Sequence, residues 1–175
     1  DTIVVGTVES RSEPQYDRPA TEWTILVERV LKGDLGVGRI TVRVPGGRGP
    51  DGMELHIYGT PPLAEGGRTL FFLQPRADGT FAIADLPQGA FVAARGTNRT
   101  LAFRAFSQVR VLSRSGRVGA REQVRDLDRF SDWIEDRASG VRRPSDYLVR
   151  PSRSELQSSG QNFTTLQSSG RNLRW

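Results

Sequence analysis

The chain has 175 residues, 36% hydrophobic and 26% charged, enough Val, Ile, Leu and Phe for one modest core with an appendage. It has no cysteine, which excludes thiol catalysis, disulfides and thiolate metal sites. The net charge is +5 and the pI near 10.6, but residues 1–110 hold 13 basic against 12 acidic groups and residues 111–175 hold 12 against 8. The excess is therefore C-terminal and mixed with carboxylates, as on a solvated surface rather than in a nucleic-acid groove.

In chain order, residues 2–10 and 21–31 are rich in β-branched side chains and read as strands, the second stopped at Lys32-Gly33-Asp34. Residues 39–44 alternate polar and apolar with period two, as a half-buried strand requires, and end at Pro45-Gly46-Gly47. Residues 68–74 form a nearly continuous apolar run, too short for a helix and suited to a strand buried on both faces. It also falls far short of the ~20 residues of a membrane-spanning helix. Asp78-Gly79 predicts a hairpin into a strand over 81–86, because both residues tolerate positive φ. Gly96-Thr97-Asn98-Arg99 predicts a second hairpin between 90–94 and 100–106, with 108–112 extending the last strand. Some seven strands in about 110 residues fit a small barrel or a sandwich, and a barrel leaves fewer open edges.

A Ser/Arg/Gly linker over 113–119 precedes a change of period. Val124, Leu127, Phe130, Ile134 and Ala138 recur at three- and four-residue steps, predicting an amphipathic helix over 120–138 with Gly140 as its C-cap. The fold expected is mainly β: a small, closed or partly open OB-like β-barrel (1–112), a linker and one amphipathic helix packed on it (113–140), and an extended tail (141–175). In that tail Leu156-Gln157-Ser158-Ser159-Gly160 returns as Leu166-Gln167-Ser168-Ser169-Gly170, which suits a hairpin over 163–175. Its apolar residues Phe163, Leu166, Leu173 and Trp175 are the candidates for tail interaction.

Chemistry is sparse. The single histidine, His56, lies between Leu55 and Ile57 and reads as a structural or surface residue. No H-E-x-x-H spacing and no Gly-x-Ser-x-Gly elbow occurs. The glycine-rich run Pro45 to Gly52 lacks the Gly-Lys-Ser/Thr ending that cradles phosphate and reads as a loop. The carboxylates of 122–136, interspersed with Arg, read as an ion-paired helix face. Asn98-Arg99-Thr100 and Asn162-Phe163-Thr164 match the glycosylation acceptor pattern and are assigned no role. No catalytic residue, cofactor or metal is expected.

Several segments together resemble the N-terminal domain that precedes matrixin-like zinc metalloprotease domains in exported bacterial proteins. They are residues 2–8, 27–33, Val42-Arg43-Val44-Pro45-Gly46-Gly47, Tyr58-Gly59-Thr60-Pro61-Pro62 with 67–73, Gln88-Gly89-Ala90-Phe91, and 130–138. The opening strands with Leu31-Lys32-Gly33 also resemble the netrin-like OB fold of tissue inhibitors of metalloproteinases. That likeness implies a barrel with helices at its C-terminal side, but not inhibition. Those inhibitors reach zinc through an N-terminal cysteine, and residue 1 here is Asp1. The protease signature is likewise absent. The resemblance implies a non-catalytic accessory or pro-domain, secreted or in the cell envelope, acting by protein–protein or envelope binding. The start at Asp1 without Met is expected either from removal of an export signal, the favoured reading, or from a boundary cut within a longer chain. Two other readings stay open: a structural subunit whose tail adds a strand to a neighbour's sheet, and a nucleic-acid-binding OB module.

Overall fold

A computed structural model of the chain describes residues 1–14, 18–36, 38–105, 123–152 and 155. Its elements are β1 (Thr2–Ser12), β2 (Ala20–Lys32), β3 (Arg39–Pro45), β4 (Gly47–Arg48), β5 (Glu54–Leu55), β6 (Arg68–Pro75), β7 (Phe81–Ile83), β8 (Ala90–Arg95), β9 (Thr100–Phe103), β10 (Val124–Asp126), α1 (Leu127–Ala138) and β11 (Leu148–Val149). β1, β2 and β3 form an antiparallel meander. β6 returns along the free side of β1, and β7 pairs antiparallel with β6 and parallel with β3. These five strands close the ring, giving the expected small barrel with one helix.

Side-chain alternation fills the barrel. Val4 and Val8 of β1, Ile25 and Val27 of β2, Ile40, Val42 and Val44 of β3, and Phe71 and Leu73 of β6 form the inner cluster. The intervening residues of β1 and β6, Ile3, Val5 and Leu70, face outward and are buried as well. This explains why 68–74 reads as a continuous apolar run: both faces of β6 are covered. The outer cover is α1, whose Leu127, Phe130 and Ile134 pack on Leu31, Phe91 and Ala102. Each buried aromatic or aliphatic side chain of this kind contributes roughly 1.5–3 kcal/mol of transfer free energy.

Two expectations need correction. First, the strand expected over 81–86 ends at Ile83. The chain then makes a 3-10 turn over Leu86–Gln88, entered through Asp85 and Leu86 at φ of 51° and 42°, and pairs again as β8. Gly89 permits this, because a Cβ there would lie 2.0 Å from the Ala84 carbonyl oxygen.

Second, the helix does not extend back to 120. Val124 lies in β10, which pairs with β9 and β11, and Ala138 is exposed. Asp126 ends the strand and caps the helix, its carboxylate accepting the Arg129 N–H at 3.1 Å. At the other end Val141 N–H bonds the Asp136 carbonyl and Gly140 N–H, at φ 82°, bonds that of Arg137. That is a Schellman ending, with Gly140 one residue beyond the cap at Ser139.

The first part of the tail runs as an extended segment docked on the sheet. β11 joins the main sheet, and Tyr147 packs against Phe130 and Trp133 at ring distances of 4.8 and 5.0 Å. The linker over 113–119, the strand over 108–112, the repeat, and the tail candidates Phe163, Leu166, Leu173 and Trp175 lie outside the described residues. No helix among the described residues is long and apolar enough to cross a membrane.

Candidate functional site

The glycine-rich run is more than a loop. Gly46 and Gly47 adopt φ of 99° and 122°, open to glycine but strained for other residues. A side chain at Gly46 would meet the Leu55 carbonyl at 2.9 Å, and one at Gly47 the Thr21 hydroxyl at 2.7 Å. The chain can therefore fold back tightly: β4 pairs with β5, and Gly49 N–H bonds the Met53 carbonyl at 2.8 Å. Asp51 turns the tip, its carboxylate accepting the Met53 N–H at 3.0 Å. The result is a short finger anchored at its base by Thr21 Oγ1, which donates to the Gly46 carbonyl.

Residues 57–67 then cross this end of the barrel. Thr60 Oγ1 donates to the Ile57 carbonyl at 2.8 Å, Gly66 N–H to the Val8 carbonyl at 2.8 Å, and Glu65 Oε1 accepts the Arg11 N–H at 3.1 Å. Between finger, crossing segment and strand ends lies an open cleft of about 280 Å³. Trp23, Leu55, Ile57, Pro61 and Pro62 supply most of its apolar wall. Arg11 lies 5.7 Å from the Trp23 ring centroid and pairs with Glu13, so the indole is shielded by a cation on one side.

Beside the cleft, Met53, Leu55 and Tyr58 are 72%, 44% and 75% exposed. Three large apolar side chains on one projecting segment make an uncovered patch of the kind that marks interaction surfaces. His56 lines the cleft and its ring meets Tyr58 edge-on at 5.1 Å. Glu54 lines it as well, so an imidazole and a carboxylate do share this cleft, which the sequence did not lead one to expect. Both are exposed to solvent. Among the described residues no group of three or more His, Asp or Glu side chains is arranged to hold a metal ion.

The outward face of β2 and β3, where OB modules commonly carry ligands, has a different character. Glu22 stands opposite Arg43 across the strands. Arg43 donates to Glu22 Oε1 at 2.8–3.0 Å and to Asp78 Oδ2 at 2.6 Å. The Asp78 carboxyl is held down to about 2, first by the Thr80 hydroxyl and N–H and then by Arg43. Trp23 points the other way, toward the inner cluster. This face presents an ion-paired network.

A second arrangement escaped sequence reading. Glu155 is buried at the tip of the β8–β9 hairpin. Its carboxylate accepts from Ser152 N–H at 2.8 Å, Ser152 Oγ at 3.0 Å, and Arg99 Nε and Nη2 at 3.2 Å each. Ser152 Oγ in turn accepts the Glu155 N–H at 3.2 Å, completing a reciprocal capping box. These bonds hold the Glu155 carboxyl down to about 2, with Ser152 N–H the largest cause and Arg99 next. The Ser-x-x-Glu spacing of 152–155 was the available signal.

The chain matches no family model, and neither curated proteins nor solved structures show a significant match.

Proposed function

We propose that the chain is a non-catalytic recognition domain of an exported, metalloprotease-like protein, and that its finger-and-cleft end holds a matrixin-type catalytic domain. The observation that carries this reading is the exposure of Met53, Leu55 and Tyr58 beside an apolar, proline-walled cleft. Flexible Met and amphipathic Tyr are side chains that proteins use as interface anchors. The imidazole and carboxylate in the cleft are open to water, an environment that favours recognition over acid–base chemistry, where dry, pre-organised sites are strongest. The strand-and-turn likeness to domains that precede such proteases supports the choice of partner and the exported setting.

A nucleic-acid role is less well supported. The face that would carry a strand has Arg43 already engaged with Glu22 and Asp78, and the nearby indole is turned inward.

The test is a titration of the isotopically labelled full chain with a purified matrixin-like zinc protease domain. Expected are shifts at the Trp23 indole N–H, Ile57 and Tyr58. Replacing Tyr58→Ser should weaken binding roughly tenfold, as loss of one anchor worth about 1.4 kcal/mol does. Absence of binding, or shifts confined to the α1 side, would overturn the reading.

A further inference from the structure

We propose that Met53, beside the tip of the finger, is a site of oxidation by hydroperoxides, and that its sulfoxide turns the apolar patch next to the cleft polar while leaving the fold intact. The effect on partner binding rests on the reading of that patch as a docking surface; the modification itself does not.

The 175 residues contain one methionine and no cysteine, so Met53 Sδ is their only sulfur atom. With thiols absent, the thioether is the side chain a peroxide oxidises most readily, and access to the sulfur governs the rate. Met53 is 72% exposed. It belongs to none of the buried apolar clusters and does not line the cleft. The step is an oxygen transfer. The sulfur lone pair attacks the distal oxygen of the hydroperoxide, the O–O bond breaks as the S–O bond forms, and the proton of the transferred oxygen passes to the leaving oxygen. The thioether is oxidised to the sulfoxide, and hydrogen peroxide is reduced to water.

The finger keeps its shape through backbone bonds. Gly49 N–H donates to the Met53 carbonyl at 2.8 Å, Met53 N–H donates to Asp51 Oδ1 at 3.0 Å, and Thr21 Oγ1 anchors the base at Gly46. An oxygen added to Sδ removes none of them. The consequence therefore falls on the surface, where a flexible apolar side chain becomes a polar, chiral one. Met53, Leu55 and Tyr58 are the exposed anchors of this end of the barrel. Once the first is a sulfoxide, covering it with an apolar partner surface strips water from an oxygen that finds no donor there. The thioether that can adapt to a partner is thus also the atom at which an oxidant loosens it.

The experiment treats the full chain with hydrogen peroxide and follows, by peptide mass mapping, the gain of one oxygen at Met53. Expected are oxidation at close to the rate of free N-acetylmethionine amide, an unchanged denaturant midpoint, and earlier elution from a hydrophobic-interaction column. A methionine sulfoxide reductase should return the elution to its starting position. Met53→Leu should elute late and lose all response to peroxide. Much slower oxidation than the free amide, or a lower midpoint after oxidation, would place the sulfur in the packed fold and overturn the inference. Earlier elution of peroxide-treated Met53→Leu would place the change elsewhere and overturn it too. The oxidised chain and Met53→Gln should each bind the matrixin-like zinc protease domain roughly fivefold more weakly than the untreated chain, as loss of part of one anchor does. Equal binding by oxidised and untreated chains sinks the switch. If the protease domain binds neither form while peroxide still shortens retention through Met53, the partner is removed and the oxidation site stands.

Discussion

Inside the barrel, Val4, Val8, Phe71 and Leu73 are enclosed by five strands; outside it, on the same β1 and β6, Ile3, Val5 and Leu70 are covered by one twelve-residue helix. The two clusters use the same residue types but differ in what must move to expose them. The inner one opens only if the ring breaks. The outer one opens if α1 lifts, and α1 is held by its own apolar stripe, its caps, and the ion pairs of Arg29 with Asp132 and Glu135. Those pairs are partly exposed, so their share is small. Closure thus makes the barrel wall the more cooperative of two layers that share the same strands.

The sharpest way to probe this difference is to truncate one aromatic in each layer. Phe71→Ala, at a fully buried inner position, should cost ~3–5 kcal/mol in denaturant unfolding, with all probes reporting one transition. Phe130→Ala removes the outer anchor that touches Phe91, Trp133 and Tyr147, and should cost about 3 kcal/mol. In that variant the α1 amides should exchange with solvent well before those of β1 and β2. Uniform exchange across both layers would show that they form one cooperative unit.

Smaller changes sharpen the picture further. Asp126→Ala deletes the helix cap and should cost about 1 kcal/mol, read as faster exchange in the first turn of α1. Glu155 gives a pH readout. Its carboxyl lies at about 2 when folded against an ordinary 4.5, so its bonds contribute fully above pH 4.5 and are lost as pH falls toward 2. Protease cleavage near residue 152 should therefore rise across that window in the native chain. In Glu155→Gln it should already be raised at neutral pH and change little. His56→Ala, at an exposed position, should stay within ~0.5 kcal/mol of the native stability. A larger loss would mean that the finger is braced by its imidazole.

The barrel was legible because its signals are local. Alternation in 39–44, the Asp78-Gly79 turn and the Gly96–Arg99 turn each follow from neighbours in sequence, and each is found in place. The boundary between β10 and α1 was misread because Val124 falls in phase with the helical stripe; only the cap at Asp126 decides it. The cleft was not legible at all. Its wall draws on residues near 11, 23, 45 and 55–63, and no periodicity announces that these segments converge. Glu155 was hidden for a different reason: a carboxylate in a polar stretch reads as solvated, and its burial depends on Arg99 and Thr97, more than fifty residues away.

The 3-10 turn between β7 and β8 bears on how the fold could have grown. Leu73 faces Ile83 and Phe71 faces Ala90, so two residues along β6 answer to seven along its partner. That surplus of five lets one edge of β6 serve two masters, the ring through β7 and the open sheet through β8. Excising residues 85–89 would put both segments into a single register. The merged strand would then have to belong wholly to the ring or wholly to the outer layer, turning a hinge between modules into a choice between architectures.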